Sequence, residues 1–125
     1  MGLFGGGEDK EAAQAESDRL RNLPLPELAA AIMPAFGPDG INAKSGHQQG
    51  PMEVVSWLMR GHSQKVRYRQ PLLGPTIEAL PLLERAGLVT RRTFGTSGST
   101  YSATRLGETS LADGTVGEQL ATSPG

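Results

Sequence analysis

Two β-prone runs, Leu88-Val89-Thr90-Arg91-Arg92-Thr93-Phe94 and Ser99-Thr100-Tyr101-Ser102-Ala103, stand on either side of the four-residue turn Gly95-Thr96-Ser97-Gly98. Runs rich in β-branched and aromatic residues, separated by a short glycine-containing turn, specify an antiparallel hairpin. Upstream the chain is patterned for helices, so this hairpin must be carried on a helical body. A mainly α fold with one small β-hairpin, in the α+β class, is therefore expected.

The helical body reads as three segments. Leu25, Leu28, Ile32 and Phe36 recur at helical spacing, with Pro26 suited to a first turn and Pro34 and Gly37 suited to termination. A polar stretch, residues 37–50, follows. Pro51 then opens a second helix with Met52, Val55, Leu58 and Met59 on its apolar face, Trp57 at the margin and a stop near Gly61. Residues 62–70 alternate Val66 and Tyr68 with Lys65, Arg67 and Arg69, a period of two that predicts a short strand or extended loop. A third helix is expected from Pro75 to Ala86, with Ile77, Leu80 and Leu83 facing the core, Pro81 kinking it and Gly87 forming a left-handed cap. After the hairpin, Thr104 suits the N-cap of a short helix that returns Leu106 and Leu111 to the core.

The ends differ from this middle. Residues 1–22 begin with glycines and continue with charged residues and alanine, reading as a flexible acidic arm; residues 113–125 read as a flexible tail. One domain over 23–112 remains. In a chain of 125 residues with 37% hydrophobic residues, one modest core is the expectation.

Charge separates along the same boundaries. Residues 1–39 hold seven acids and three bases, residues 40–106 nine bases and three acids, and residues 107–125 three acids. A basic centre between acidic ends is the electrostatic pattern of a polyanion-binding surface, although solvated surface bases give the same count.

Catalytic and metal chemistries find little support. Cysteine is absent, which excludes disulfides and thiolate ligands. His47 and His62, the two histidines, fall on separate loops without nearby acids, so no metal site and no cofactor are expected. No G-x-S-x-G elbow occurs, and Gly95–Gly98 does not precede a helix as a phosphate-cradling loop must. Met33, Met52, Met59 and Trp57 suggest either a soft ligand pocket or, on helical faces, ordinary core packing. The chain reads as non-enzymatic. The opening lacks a secretory pattern and no apolar run spans a membrane, so a cytoplasmic protein without membrane contact is expected.

The order helix, helix, helix, hairpin resembles the winged helix-turn-helix domains of bacterial transcription regulators such as the MarR and PadR families. The resemblance rests on Leu83, Gly87, Leu88 and Val89, where a helix gives way to a strand, and on Tyr101, Ala103, Thr104, Leu106 and Gly107 after the turn. It implies a three-helix core plus wing, a third helix entering the DNA major groove and a wing tip reaching the neighbouring backbone or minor groove. The DNA-binding residues it implies, together with the flanking bases, are Lys65, Arg67, Arg69, Thr76, Arg91, Arg92, Thr96 and Ser97. Duplex DNA is the expected partner and transcription regulation the expected role. The alternative is a winged helix used for protein contact or homodimerisation without DNA.

Overall fold

The computed structural model describes residues 2–38, 40, 41, 49–93 and 99–122, the side chains of 2–9 and 93 excepted. The elements in chain order are α1 (Gly2–Arg21), α2 (Leu25–Ile32) continuing into a 3-10 turn (Met33–Phe36), α3 (Pro51–Leu58), α4 (Val66–Arg85), β1 (Val89–Thr93), β2 (Ser99–Ala103), α5 (Arg105–Asp113) and α6 (Val116–Thr122). The fold is mainly α-helical with a small antiparallel hairpin, as the sequence predicts.

Helix α4 is the centre of the molecule. Helices α1, α2 and α3 all pack on it through Tyr68, Leu72, Thr76, Ala79, Leu80 and Leu83, which recur every three or four residues along one side. Leu28, Ile32 and Met33 from α2 and its turn, and Val54, Val55, Leu58 and Met59 from α3 and its cap, complete the core. On α3 and α4 two expected core residues lie outside it: Met52 is exposed, and Ile77 is 50% exposed.

The basic segment 62–70 is not a strand. Val66 to Gln70 are the first turns of α4, which runs on through Pro71, Pro75 and Pro81. Each proline lacks the N–H that serves the carbonyl four residues earlier, here those of residues 67, 71 and 77. The buried stripe from Tyr68 to Leu83 holds it together across these gaps. Extending the helix backwards also fixes its phase: Leu72, Thr76, Leu80 and Leu83 face inward, and Ile77, rotated by about 100° from Thr76, faces out.

The helix ends at Gly87, whose φ of +78° provides the left-handed cap, with the Leu88 N–H bonded to the Leu83 carbonyl and the Gly87 N–H to the Glu84 carbonyl. β1 follows immediately. It pairs with β2 in the register Val89 to Ala103, Arg91 to Tyr101 and Thr93 to Ser99. On the other side of β2, Gln49 and Tyr101 exchange backbone hydrogen bonds of 2.6 and 2.7 Å, a single bridge that ties the end of the long loop to the hairpin just before α3 begins. The succession α2, bridge, α3, α4, hairpin is consistent with a winged-helix-like architecture.

Thr104 caps α5 as expected: its Oγ1 accepts from the Gly107 N–H at 3.0 Å and its hydroxyl donates to the Gly87 carbonyl. Leu111 packs against the core, but Leu106 is exposed rather than buried.

The two ends are not free. Ala13, Ser17 and Leu20 of α1 are buried, and Ser17 Oγ donates to the Tyr68 carbonyl of α4 at 2.8 Å. At the other end Val116 of α6 is buried, and α6 packs on α2. The expected arm and tail are therefore docked helices over these stretches. Their faces are built from alanine, serine and single aliphatic residues, which carry too little apolar area to stand out in a sequence yet let helix backbones approach closely.

Candidate nucleic-acid interface

The bases expected to meet a polyanion fall on two parts of the fold. Lys65 occupies the N-cap position of α4, and Arg67 lies on its first turn with its guanidinium 4.9 Å from the Tyr68 ring centre. Both are exposed, and among the described residues neither forms an ion pair. The first turn of a helix also presents unbonded N–H groups and the positive end of the macrodipole, so both side chains stand where an anion is favoured.

Arg69 is engaged differently. It is half-buried, its Nη1 donates to Ser56 Oγ on α3 at 3.2 Å, and its Nε is buried without a partner. This arginine joins α3 to α4. Arg91 and Arg92 are exposed on β1, and Arg91 Nε lies 3.7 Å from Glu84 Oε2 near the far end of α4. Glu84 is seventeen residues beyond Arg67, so the two basic groups stand roughly 25 Å apart along the helix.

Thr76 does not belong to a contact surface. Its side chain is fully buried between α4 and its neighbours, and its hydroxyl has no hydrogen-bond partner. Ala79, one turn further along α4, is buried as well. The outward residues of α4 are Val66, Arg67, Gln70, Gly74, Ile77, Glu78 and Arg85. Among these, Arg67, Gln70 and Arg85 are the side chains with donors suited to base edges, and Glu78 repels phosphate. Thr96 and Ser97, expected at the wing tip, lie outside the described residues.

One further base belongs to the basic end of α4. Arg60, just after α3, stacks 3.7 Å from the Trp57 ring centre and donates from Nη1 to the Trp57 carbonyl. The spacing of three between Trp57 and an arginine just past the helix end was the signal for it. α1 lies beside this end. Its Glu16 carboxyl is held below the usual carboxylate range, first by its hydrogen bond to Arg19 and further by the nearby Arg19, His62 and Arg60 charges. An acidic helix thus borders the basic turn.

The methionine and tryptophan set divides. Met33 and Met59 are buried in the core. Met52 and Trp57, with Ile41, Glu53 and Ser56, line an open groove of about 490 Å³ on the outer side of α3. Glu53 is committed at the helix start, where its Oε1 accepts from the Gly50 N–H at 2.9 Å. His47 lies outside the described residues, His62 is half-buried, and among the described residues no group of three or more potential ligands converges on a metal position. No helix among the described residues is long and apolar enough to cross a membrane.

No known protein family, curated protein or solved structure matches this chain.

Proposed function

We propose that this chain is a winged-helix-like regulator that binds duplex DNA through its phosphate backbone, with the first turn of α4 as the principal contact. The observation that carries the reading is the exposure of Lys65 and Arg67, without an ion pair among the described residues, at a helix N-terminus within the basic middle of the chain. Phosphate contact needs charge and reach, and both are present; base reading needs several directed donors on one face, and α4 offers few. The domain is therefore a backbone binder with weak sequence preference. Arg92, on the hairpin, is the second contact.

Binding to mixed-sequence duplex, followed by fluorescence anisotropy across a salt series, tests this. For Z neutralised phosphates log K falls against log salt with slope about −0.9Z, so Lys65→Ala with Arg67→Ala flattens the slope by about two. Arg69→Ala leaves the slope unchanged, because Arg69 is committed to Ser56. A folded sample that fails to bind at low salt defeats the reading.

A second reading, contact with protein, is favoured by one specific observation. Val66 and Ile77 are 60% and 50% exposed on the same side of α4, where a groove-entering helix has no use for bare aliphatic surface.

A further inference from the structure

Nothing in the described fold covers the outward side of α4, and the residues on it form an ordered pattern rather than a random surface. On an α-helix each residue advances about 100°, so Val66, Leu73 and Ile77 fall within a narrow apolar strip, with Gln70 and Gly74 beside it. Val66 and Ile77 are exposed and Leu73 is half-buried. Nothing lies within 4 Å of where a Cβ on Gly74 would stand, so an approaching backbone meets open space there. Along one flank of the strip stand Arg67 and Glu78, on nearly the same side of the helix and eleven residues, or three turns, apart. Both are exposed and neither forms an ion pair among the described residues.

This arrangement is complementary to itself when reversed. We propose that α4 pairs antiparallel with α4 of a second copy of this chain, about a two-fold axis level with the Leu72–Leu73 peptide. In that register Val66 meets Ile77 of the second copy at each end, Leu73 meets Leu73 near the axis, and the two Gly74 positions lie where the helices run closest. The two-fold keeps each flank on its own side, so Arg67 of one copy faces Glu78 of the other, twice. A two-fold contact needs one patch that recognises itself, and a base and an acid placed symmetrically about the centre of an apolar strip meet that need. The overlap covers residues 66–79 and ends before Glu84, where Arg91 of β1 meets α4. Arg67 cannot meet a phosphate and Glu78 of a second copy at once, so this pairing and DNA contact compete for the start of α4, and the pairing is tested without nucleic acid.

Charge reversal decides it. Sedimentation velocity over a concentration series is run on the full chain, on Arg67→Glu, on Glu78→Arg and on the double variant, each confirmed folded by circular dichroism. Each single reversal sets like charges against each other at two places and weakens self-association roughly tenfold or more, whereas the double reversal restores it to within about threefold. Ile77→Asp, which alters the strip and leaves the pair intact, also yields monomer. A chain that stays monomeric at millimolar concentration overturns the proposal. So does a dimer indifferent to both single reversals, or a double variant no better than the singles.

Discussion

Gly107 is the position where one added methyl group has the most to disturb. A Cβ built there stands 2.0 Å from the Leu88 carbonyl oxygen and 2.8 Å from Met33 Cε. Carbon and carbonyl oxygen rest no closer than about 3.3 Å, so α5 and the start of β1 must part by more than ~1 Å. The methionine can turn away, but the carbonyl cannot, because the Thr104 N–H is bonded to it at 3.0 Å. Overpacking of this kind costs about 1–3 kcal/mol. Separation also strains the Thr104 bonds to Leu88 and Gly87, at about 1 kcal/mol each. Against this, alanine is the better helix former by about 1 kcal/mol. The net expectation for Gly107→Ala is a loss of roughly 2–4 kcal/mol, a large part of the ~5–15 kcal/mol that holds a domain together. Urea melts followed by far-ultraviolet circular dichroism measure it. Gly117→Ala in α6 serves as the control, since nothing lies within 4 Å of its Cβ position, and it is expected to be neutral or stabilising by up to about 1 kcal/mol. If Gly107→Ala is as harmless as Gly117→Ala, α5 does not press on the Leu88 carbonyl and the reasoning fails.

Two other perturbations probe the interior. Leu83→Ala, at a fully buried site facing α4's partners, is expected to cost about 2–5 kcal/mol in the same melts, and a change below ~0.5 kcal/mol removes Leu83 from the core. Burial pushes the Tyr101 phenol above its ordinary value, an effect that outweighs the opposing pull of Arg91. A phenol that resists ionisation in the folded state leaves stability intact below its unfolded value of about 10 and withdraws it as pH rises further. The domain should therefore lose stability as pH rises above about 10, and Tyr101→Phe should lose less; equal losses refute the assignment.

The parts of the fold legible in the sequence were those written in punctuation. Gly87 after Leu83 and Thr104 before Gly107 each impose a local geometry that few other residues allow, and the two β-prone runs on either side of residues 94–98 pair as a hairpin. What escaped was written in small residues or against a rule. Ala13 and Ser17 seat α1 on α4 while contributing little apolar area, and no periodicity of large side chains announces them. Pro71 and Pro75 disguise the first half of α4, because a proline argues for a boundary and only the tertiary contacts of Tyr68 and Leu72 override that argument. The candidate site inherits the same error. With the helix begun at Pro75, Thr76 belongs to an exposed first turn; begun at Val66, the same residue falls in line with Leu72 and Leu80 and is enclosed. Lys65 and Arg67 were found as bases but not as a helix start, and Arg69 was not separable from them until Ser56 came within reach.

The bridge between Gln49 and Tyr101 bears on how the hairpin survives in a crowded solution. A two-stranded ribbon has two open rims, each a row of unpaired backbone groups on which a foreign strand can build. Gln49 occupies the outer rim of β2 at its middle residue, which leaves no uninterrupted run there for a stranger to pair with. Among the described residues no strand pairs with the outer rim of β1, and it is there that Arg91 and Arg92 stand side by side, one on each face of the strand. Arg92, and Arg91 beside it in its loose contact with Glu84, repel a like rim from another molecule. Even if neither arginine ever touches a phosphate, the pair guards this rim against the strand-to-strand addition through which small hairpins aggregate.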